Sequence, residues 1–258
     1  TCALPIFGVQ PIGVAVAGDG KVFVTNLGGN TVSVIDPANS YAVTTISDPG
    51  FQSPCGVAVA GDGKVYVTNL FGTTVSVIDP AHGNAVTTIN DPSFRNPHSV
   101  AVAGDGKVYV SNQGGSGAVA VMDPANGNSV TAITDPIFAD SYSLAVASDG
   151  KVYVTSMAGN AVSLIDTANG NSVTQISCPN LNHPWGVAVA GNGMVYVMNY
   201  GNNTVLVIDP VNGNSVTTIS DASFAAPNNA AVAPDGTVYV TNGNGQSMTI
   251  MSASQYVV

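Results

Sequence analysis

The sequence predicts an all-β fold: a six-bladed β-propeller with four antiparallel strands per blade, closed as a ring with both termini in blade six. Three observations carry this. A unit of about 43 residues occurs six times, marked by Asp-Gly or Asn-Gly pairs beginning at Asp19, Asp62, Asp105, Asp149, Asn192 and Asp235. A period of that size with strand-like content is the signature of a propeller or a repeat array. Each unit holds four short segments that alternate with period two and are rich in Val, Ile, Thr and Tyr, as pleated strands prefer. The period also fills all 258 residues and leaves no room for a linker, so residues 1–258 read as a single domain.

The second unit shows the elements in order. Gly56–Ala60 is a first strand of small residues, suited to the place where blades converge. Asp62-Gly63 is a hairpin signal leading to the second strand, Lys64–Asn69. The third strand, Thr74–Asp79, ends in the polar turn Asp79-Pro80-Ala-His-Gly-Asn84. The fourth, Ala85–Ile89, carries a Thr pair (Thr87, Thr88) that suits a wet outer rim, and Asp91-Pro92-Ser-Phe94 leads into the next unit. No segment has the length and pattern of an amphipathic helix. The closing strand of blade six falls to Thr1–Leu4, by period the counterpart of Thr44–Ser47, or to Tyr256–Val258.

The second strands Val22–Asn26, Val65–Asn69, Val108–Asn112, Val152–Ser156, Val195–Asn199 and Val238–Asn242 resemble the YVTN-type repeat. Pro54-Cys-Gly-Val-Ala-Val59 followed by Asp62-Gly63 is similar to the NHL repeat. The resemblance covers the whole chain. It implies a compact propeller disc with a central channel, secreted or at the cell surface, and it implies no particular activity, because propellers host many. The WD signature is absent, and the one tryptophan is Trp185.

Charge narrows the function classes. The net charge is −10, from 15 Asp against four Lys and Arg95, with no Glu. Every Lys follows a hairpin (Lys21, Lys64, Lys107, Lys151). Nucleic-acid binding needs clustered cations, so no nucleic-acid partner is expected. No run of about 18 apolar residues exists, so no membrane insertion is expected. The chain reads as a monomer. Three cysteines are an odd number. Cys55 and Cys178 lie in opposite blades of a six-fold ring, so no disulfide is expected, and the role of Cys2 stays open.

Subtracting the repeat isolates candidate functional residues. Fourteen of the 15 Asp fall at repeated turn positions; the exception is Asp140. The residue before the Gly-Val-Ala-Val strand changes from blade to blade: Ile12, Cys55, His98, Tyr142, Trp185, Asn228. The loop after the second strand changes too, with Phe71, Met157 and Tyr200 among its residues. By strand topology both sets open on one face, with Arg95, Asp140 and His183 at its edge. The ligand-binding candidates are therefore Phe71, Arg95, His98, Asp140, Tyr142, Met157, His183, Trp185 and Tyr200. The hairpin face opposite is expected to be inert.

An enzyme reading has one lead. Asn96-Pro97-His98-Ser99-Val100 resembles the Pro-His segment that supplies zinc ligands in peptidylglycine amidating lyases, a family that uses three such histidines. Only His98 occupies that position here, and one imidazole does not hold zinc. Lactonase-like six-bladed propellers bind calcium through carboxylates that this chain spends on turns. Virginiamycin-lyase-like propellers have seven blades and acid/base groups without counterparts here. The residues favour a non-catalytic binding or scaffold propeller, without cofactor or metal, that recognises a protein, peptide or glycan at the channel mouth. A metal-dependent propeller enzyme and a purely structural, surface-display propeller are the alternatives.

Overall fold

The computed structural model describes residues 9–115 and 117–252. It contains six antiparallel sheets, each a meander of sequential strands: five have four strands, and the sixth has three among the described residues. The fold is an all-β, six-bladed propeller. The alternative closing strands at Thr1–Leu4 and Tyr256–Val258, and Cys2, lie outside the described residues.

The described residues form two compact units, residues 9–114 with 120–132, and residues 115 and 117–119 with 133–252. Within the first, the first strands Pro11–Val16, Pro54–Val59 and Pro97–Val102 pack in succession. Within the second, Ser141–Val146, Pro184–Val189 and Pro227–Val232 do the same. Only small residues permit that approach. A Cβ on Gly56 would lie 2.6 Å from the His98 carbonyl oxygen, and one on Gly186 would lie 2.5 Å from that of Asn228. Second and third strands fill the space between blades: Tyr66, Phe94, Val108 and Met122 share one core cluster, and Tyr153, Val195, Leu206 and Ile208 another. The Thr pairs of the fourth strands, Thr44-Thr45, Thr87-Thr88 and Thr217-Thr218, are exposed.

Turn chemistry matches the repeat. All fourteen repeated Asp accept a hydrogen bond from the backbone N–H two residues on. In the hairpins, Gly follows Asp with φ near +86°, as at Gly63, Gly106 and Gly150, a conformation that other residues resist. The Asp-x-x-Phe segments bury Phe51, Phe94, Phe138 and Phe224. The only helical elements among the described residues are three-residue 3-10 turns.

Four of the buried asparagines that end the second strands hold loops. Asn69 Nδ2 donates to Thr74 and Ser76, while its Oδ1 accepts from the Gln52 N–H. Asn112, Asn199 and Asn242 likewise accept from Arg95, Asn182 and Ala225 N–H groups. Blade four has Ser156 at this position. There the Ala139 N–H turns to the Pro136 carbonyl, and the hydroxyls of Ser156 and Ser163 are buried without partners.

Candidate functional site

The variable position sits in a β-bulge. In every blade the pairing of first and second strands shifts register there, between Pro54 and Val57, Ser141 and Ser143, or Pro184 and Val187, for example. A bulge takes one side chain out of the alternation and re-aims it. That is why Cys55, His98, Tyr142, Trp185 and Asn228 escape the repeat's burial pattern. Their backbones are nevertheless pinned: Thr25 Oγ1 donates to the Cys55 carbonyl at 2.5 Å, Thr68 Oγ1 to that of His98 at 2.9 Å, and Thr155 Oγ1 to that of Trp185 at 2.5 Å.

The residue entering each first strand has a left-handed backbone (Gln10, Ser53, Asn96, Asp140, His183 and Ala226, φ 48–59°). In five blades its carbonyl accepts from the N–H of the residue just after the second strand: Gln10 from Leu27, Ser53 from Leu70, Asn96 from Gln113, Asp140 from Met157 and Ala226 from Gly243; in blade five the Asn182 carbonyl accepts from the Gly201 N–H. These bonds tie the loop entering the first strand to the loop leaving the second in each blade.

In the second unit three rings from these loops and bulges form an aromatic arch. The Tyr142 and Trp185 rings meet edge to face, with centroids 4.4 Å apart and planes at 63°. Trp185 and Tyr200 follow at 4.8 Å and 36°. Trp185 and Tyr200 are half-buried and reach solvent, whereas Tyr142, expected at a loop mouth, is only 9% exposed and serves as the arch's inner support. Such geometry suits aromatic quadrupoles and fixes both outer rings.

Amides flank the arch. His183 Nδ1 lies 2.6 Å from Asn182 Oδ1, Asn182 Nδ2 donates to Asn202, and Asn202 donates to the Asn180 carbonyl. The His183 N–H donates to Asn160 Oδ1 at 2.8 Å. A Cβ on Gly243 would lie 3.8 Å from the Tyr200 ring and 3.4 Å from Asn228 Nδ2, which places blade six beside the arch. Asn228 in turn accepts from Thr241 Oγ1 at 2.5 Å. Asn182, Asn202 and Asn228 are the polar neighbours that the sequence-derived set lacks. Asn228 was visible as a variable position; the other two look like ordinary turn residues.

In the first unit, Phe71 is 72% exposed, Arg95 is exposed, and His98 is half-buried in its bulge. Met157 and Asp140 are half-buried in the second unit, joined by their backbone bond, and His183 is exposed. The structure thus gathers Tyr142, Trp185 and Tyr200 by direct ring contact and holds Asp140, Met157 and His183 in the same loop sets. Phe71, Arg95 and His98 occupy equivalent loops of the other unit.

Other titratable groups are less suited to chemistry. His82 pairs with Asp79 Oδ2 at 2.9 Å in an exposed turn. Burial pushes the Cys55 thiol up to about 12 and that of Cys178 to about 11, so neither is a ready nucleophile. Among the described residues, no group of three His, Cys, Asp or Glu is placed to hold a metal ion. No helix of the described residues is long and apolar enough to cross a membrane.

Residues 181–208, which carry His183, Trp185 and Tyr200, match the family model of the NHL repeat. No curated protein matches the chain. Among solved structures, virginiamycin B lyase from Staphylococcus aureus aligns over 98% of this chain and 84% of its own, at 15% identity and a TM-score of 0.86. A streptogramin B lyase aligns over 92% of each chain, at 16% identity and a TM-score of 0.72. A functionally unknown protein from Desulfotomaculum acetoxidans DSM 771 aligns over 98% of this chain and 85% of its own, at 15% identity and a TM-score of 0.76. Identities this low make these likenesses of fold and not of chemistry.

Proposed function

We propose that this propeller is a non-catalytic binding module that engages a protein, peptide or glycan on the Tyr142–Trp185–Tyr200 arch. The observation that carries the reading is ring-to-ring continuity built from bulge and loop positions, where the repeat itself requires no aromatic. Neighbouring blades put Asn228, His98 and Cys55 at the same bulge and fold alike, so the arch answers a demand other than packing. Trp and Tyr dominate binding hot spots because they bring large rigid area with a polar tip. The flanking amides supply neutral donors and acceptors for orientation. The secreted or cell-surface setting implied by the resemblance belongs to the same proposal.

The test is a peptide and glycan array probed with the wild-type protein, followed by affinities for Trp185→Ala, Tyr200→Ala and Lys151→Ala. Loss of an aromatic anchor is expected to cost about 2 kcal/mol or more, roughly 30-fold. Lys151→Ala, on the hairpin face, is expected to bind as wild type. Equal losses for Lys151→Ala and Trp185→Ala refute the assignment.

A further inference from the structure

The hydrogen-bond balance around the aromatic arch selects among the ligands it could take. The amide oxygens beside the rings are spent inside the protein. Asn182 Oδ1 lies 2.6 Å from His183 Nδ1, Asn202 Oδ1 accepts from Asn182 Nδ2 at 3.0 Å, and Asn228 Oδ1 accepts from Thr241 Oγ1 at 2.5 Å. The loop carbonyls are spent too. That of Asn180 accepts from Asn199 and Asn202, that of Asn182 from the Gly201 N–H, and that of Ala226 from the Gly243 N–H. Three donors are not spent. The Trp185 indole N–H, the Tyr200 hydroxyl and the Asn228 amide N–H₂ donate to nothing among the described residues. Of these only the hydroxyl can also accept. Asn228 Nδ2 and the Tyr200 ring flank Gly243 together, at 3.4 and 3.8 Å from the place of its missing Cβ.

A matching ligand brings acceptors, few donors and compact apolar faces. A proline-rich segment does all three. Every residue carries a carbonyl, a proline has no N–H, and the polyproline II helix leaves its carbonyls without internal partners. A neutral glycan brings a donor with every hydroxyl, and an ordinary extended peptide brings an N–H with every residue. Both would turn those donors toward oxygens that are already taken. Asp140, two residues before Tyr142, and the net charge of −10 disfavour an acidic ligand.

We propose that the arch takes a proline-rich peptide in the polyproline II conformation. Its prolines lie on Trp185 and Tyr200, and its carbonyls accept from the Trp185 indole, the Tyr200 hydroxyl and the Asn228 amide. This rests on the arch reading above and narrows it to one class of ligand. The outer ring centroids are 4.8 Å apart, and at a rise of about 3.1 Å per residue two successive prolines span them. Both partners are stiff before they meet. Tyr142 holds the Trp185 ring edge to face, and the polyproline helix is already ordered, so association costs little conformational entropy.

The experiment follows Trp185 emission during titration with an acetylated, amidated decaproline, with a glycine–serine decapeptide blocked in the same way, and with maltohexaose. Decaproline is expected to give a saturable change and the other two none. Tyr200→Phe keeps the ring and removes the hydroxyl, and should weaken decaproline about threefold or more, the loss of one hydrogen bond. Asn228→Asp keeps the oxygen that Thr241 binds but puts an acceptor where the N–H₂ was, and should weaken it about tenfold or more. The Tyr200 hydroxyl bonds nothing in the protein, so Tyr200→Phe should melt as wild type does and its affinity reads the contact alone. No saturable change with decaproline, or an affinity unaltered in Tyr200→Phe, overturns the proposal. Should maltohexaose or the glycine–serine peptide change the emission instead, the proline assignment falls and the arch reading stands. Should every ligand from the arrays bind Trp185→Ala as it binds wild type, both fall.

Discussion

Ser76 and Ser163 occupy the same place in the third strands of blades two and four, and they have opposite fates. Ser76 receives Asn69 and donates to the Gly50 carbonyl at 3.1 Å. Ser163 faces Ser156 instead of an asparagine and is left without a partner. Ser76→Ala should therefore cost about 1 kcal/mol in chemical denaturation, while Ser163→Ala should be neutral or stabilising, because an unpaired buried hydroxyl costs more than it returns. A loss for Ser163→Ala equal to that for Ser76→Ala would show that the blade-four hydroxyl is satisfied after all. At this scale the sequence was legible where chemistry is local. The fourteen turn Asp could be assigned because an Asx turn needs only the next two residues. The orphaned serines could not, since their state depends on which residue ends the adjacent strand and on how a distant loop folds.

The strand-one bulge decides what each blade can display. Period-two alternation in Gly56–Ala60 suggested an uninterrupted strand, and the extra residue is invisible to a pattern that merely alternates. Its consequence is a backbone packed so tightly that Gly56→Ala would bring a methyl to 2.6 Å from the His98 carbonyl oxygen. That substitution should destabilise by about 1–3 kcal/mol, as overpacking does, and a thermal melt unchanged from wild type would contradict the inter-blade geometry. The Asp-x-x-Phe approach is the complementary element. Phe94 is fully buried between blades, so Phe94→Ala should cost about 3–5 kcal/mol. The Phe anchors and the loop ties follow a fixed repeat and could be read in advance. The ring contacts of the arch could not, because whether Tyr142 lies at the mouth or beneath Trp185 is set by the bulge.

For the molecule as a whole, stability at high pH should report the buried Cys55 thiol. Its pKa is about 12 in the folded state against 9.0 for the free group. The unfolded chain therefore loses this proton first, and stability falls as pH rises between those values. From pH 8 to 10 this one group should remove about 1.4 kcal/mol, and Cys55→Ala should flatten that part of the profile; parallel profiles would refute it. The six-fold repeat made the fold legible because every level agrees: period, strand pattern, turns and small first strands. Function was legible only as departures from the repeat, which single out candidate residues without naming what they hold. Trp185, the single tryptophan, gives the proposed arch its own reporter. The most direct measurement is its fluorescence during titration with any ligand taken from the arrays. Binding to the arch predicts a shifted or quenched Trp185 emission that saturates with the binding isotherm and is lost in Tyr200→Ala. A ligand that saturates the protein while leaving Trp185 emission unchanged would contradict the account.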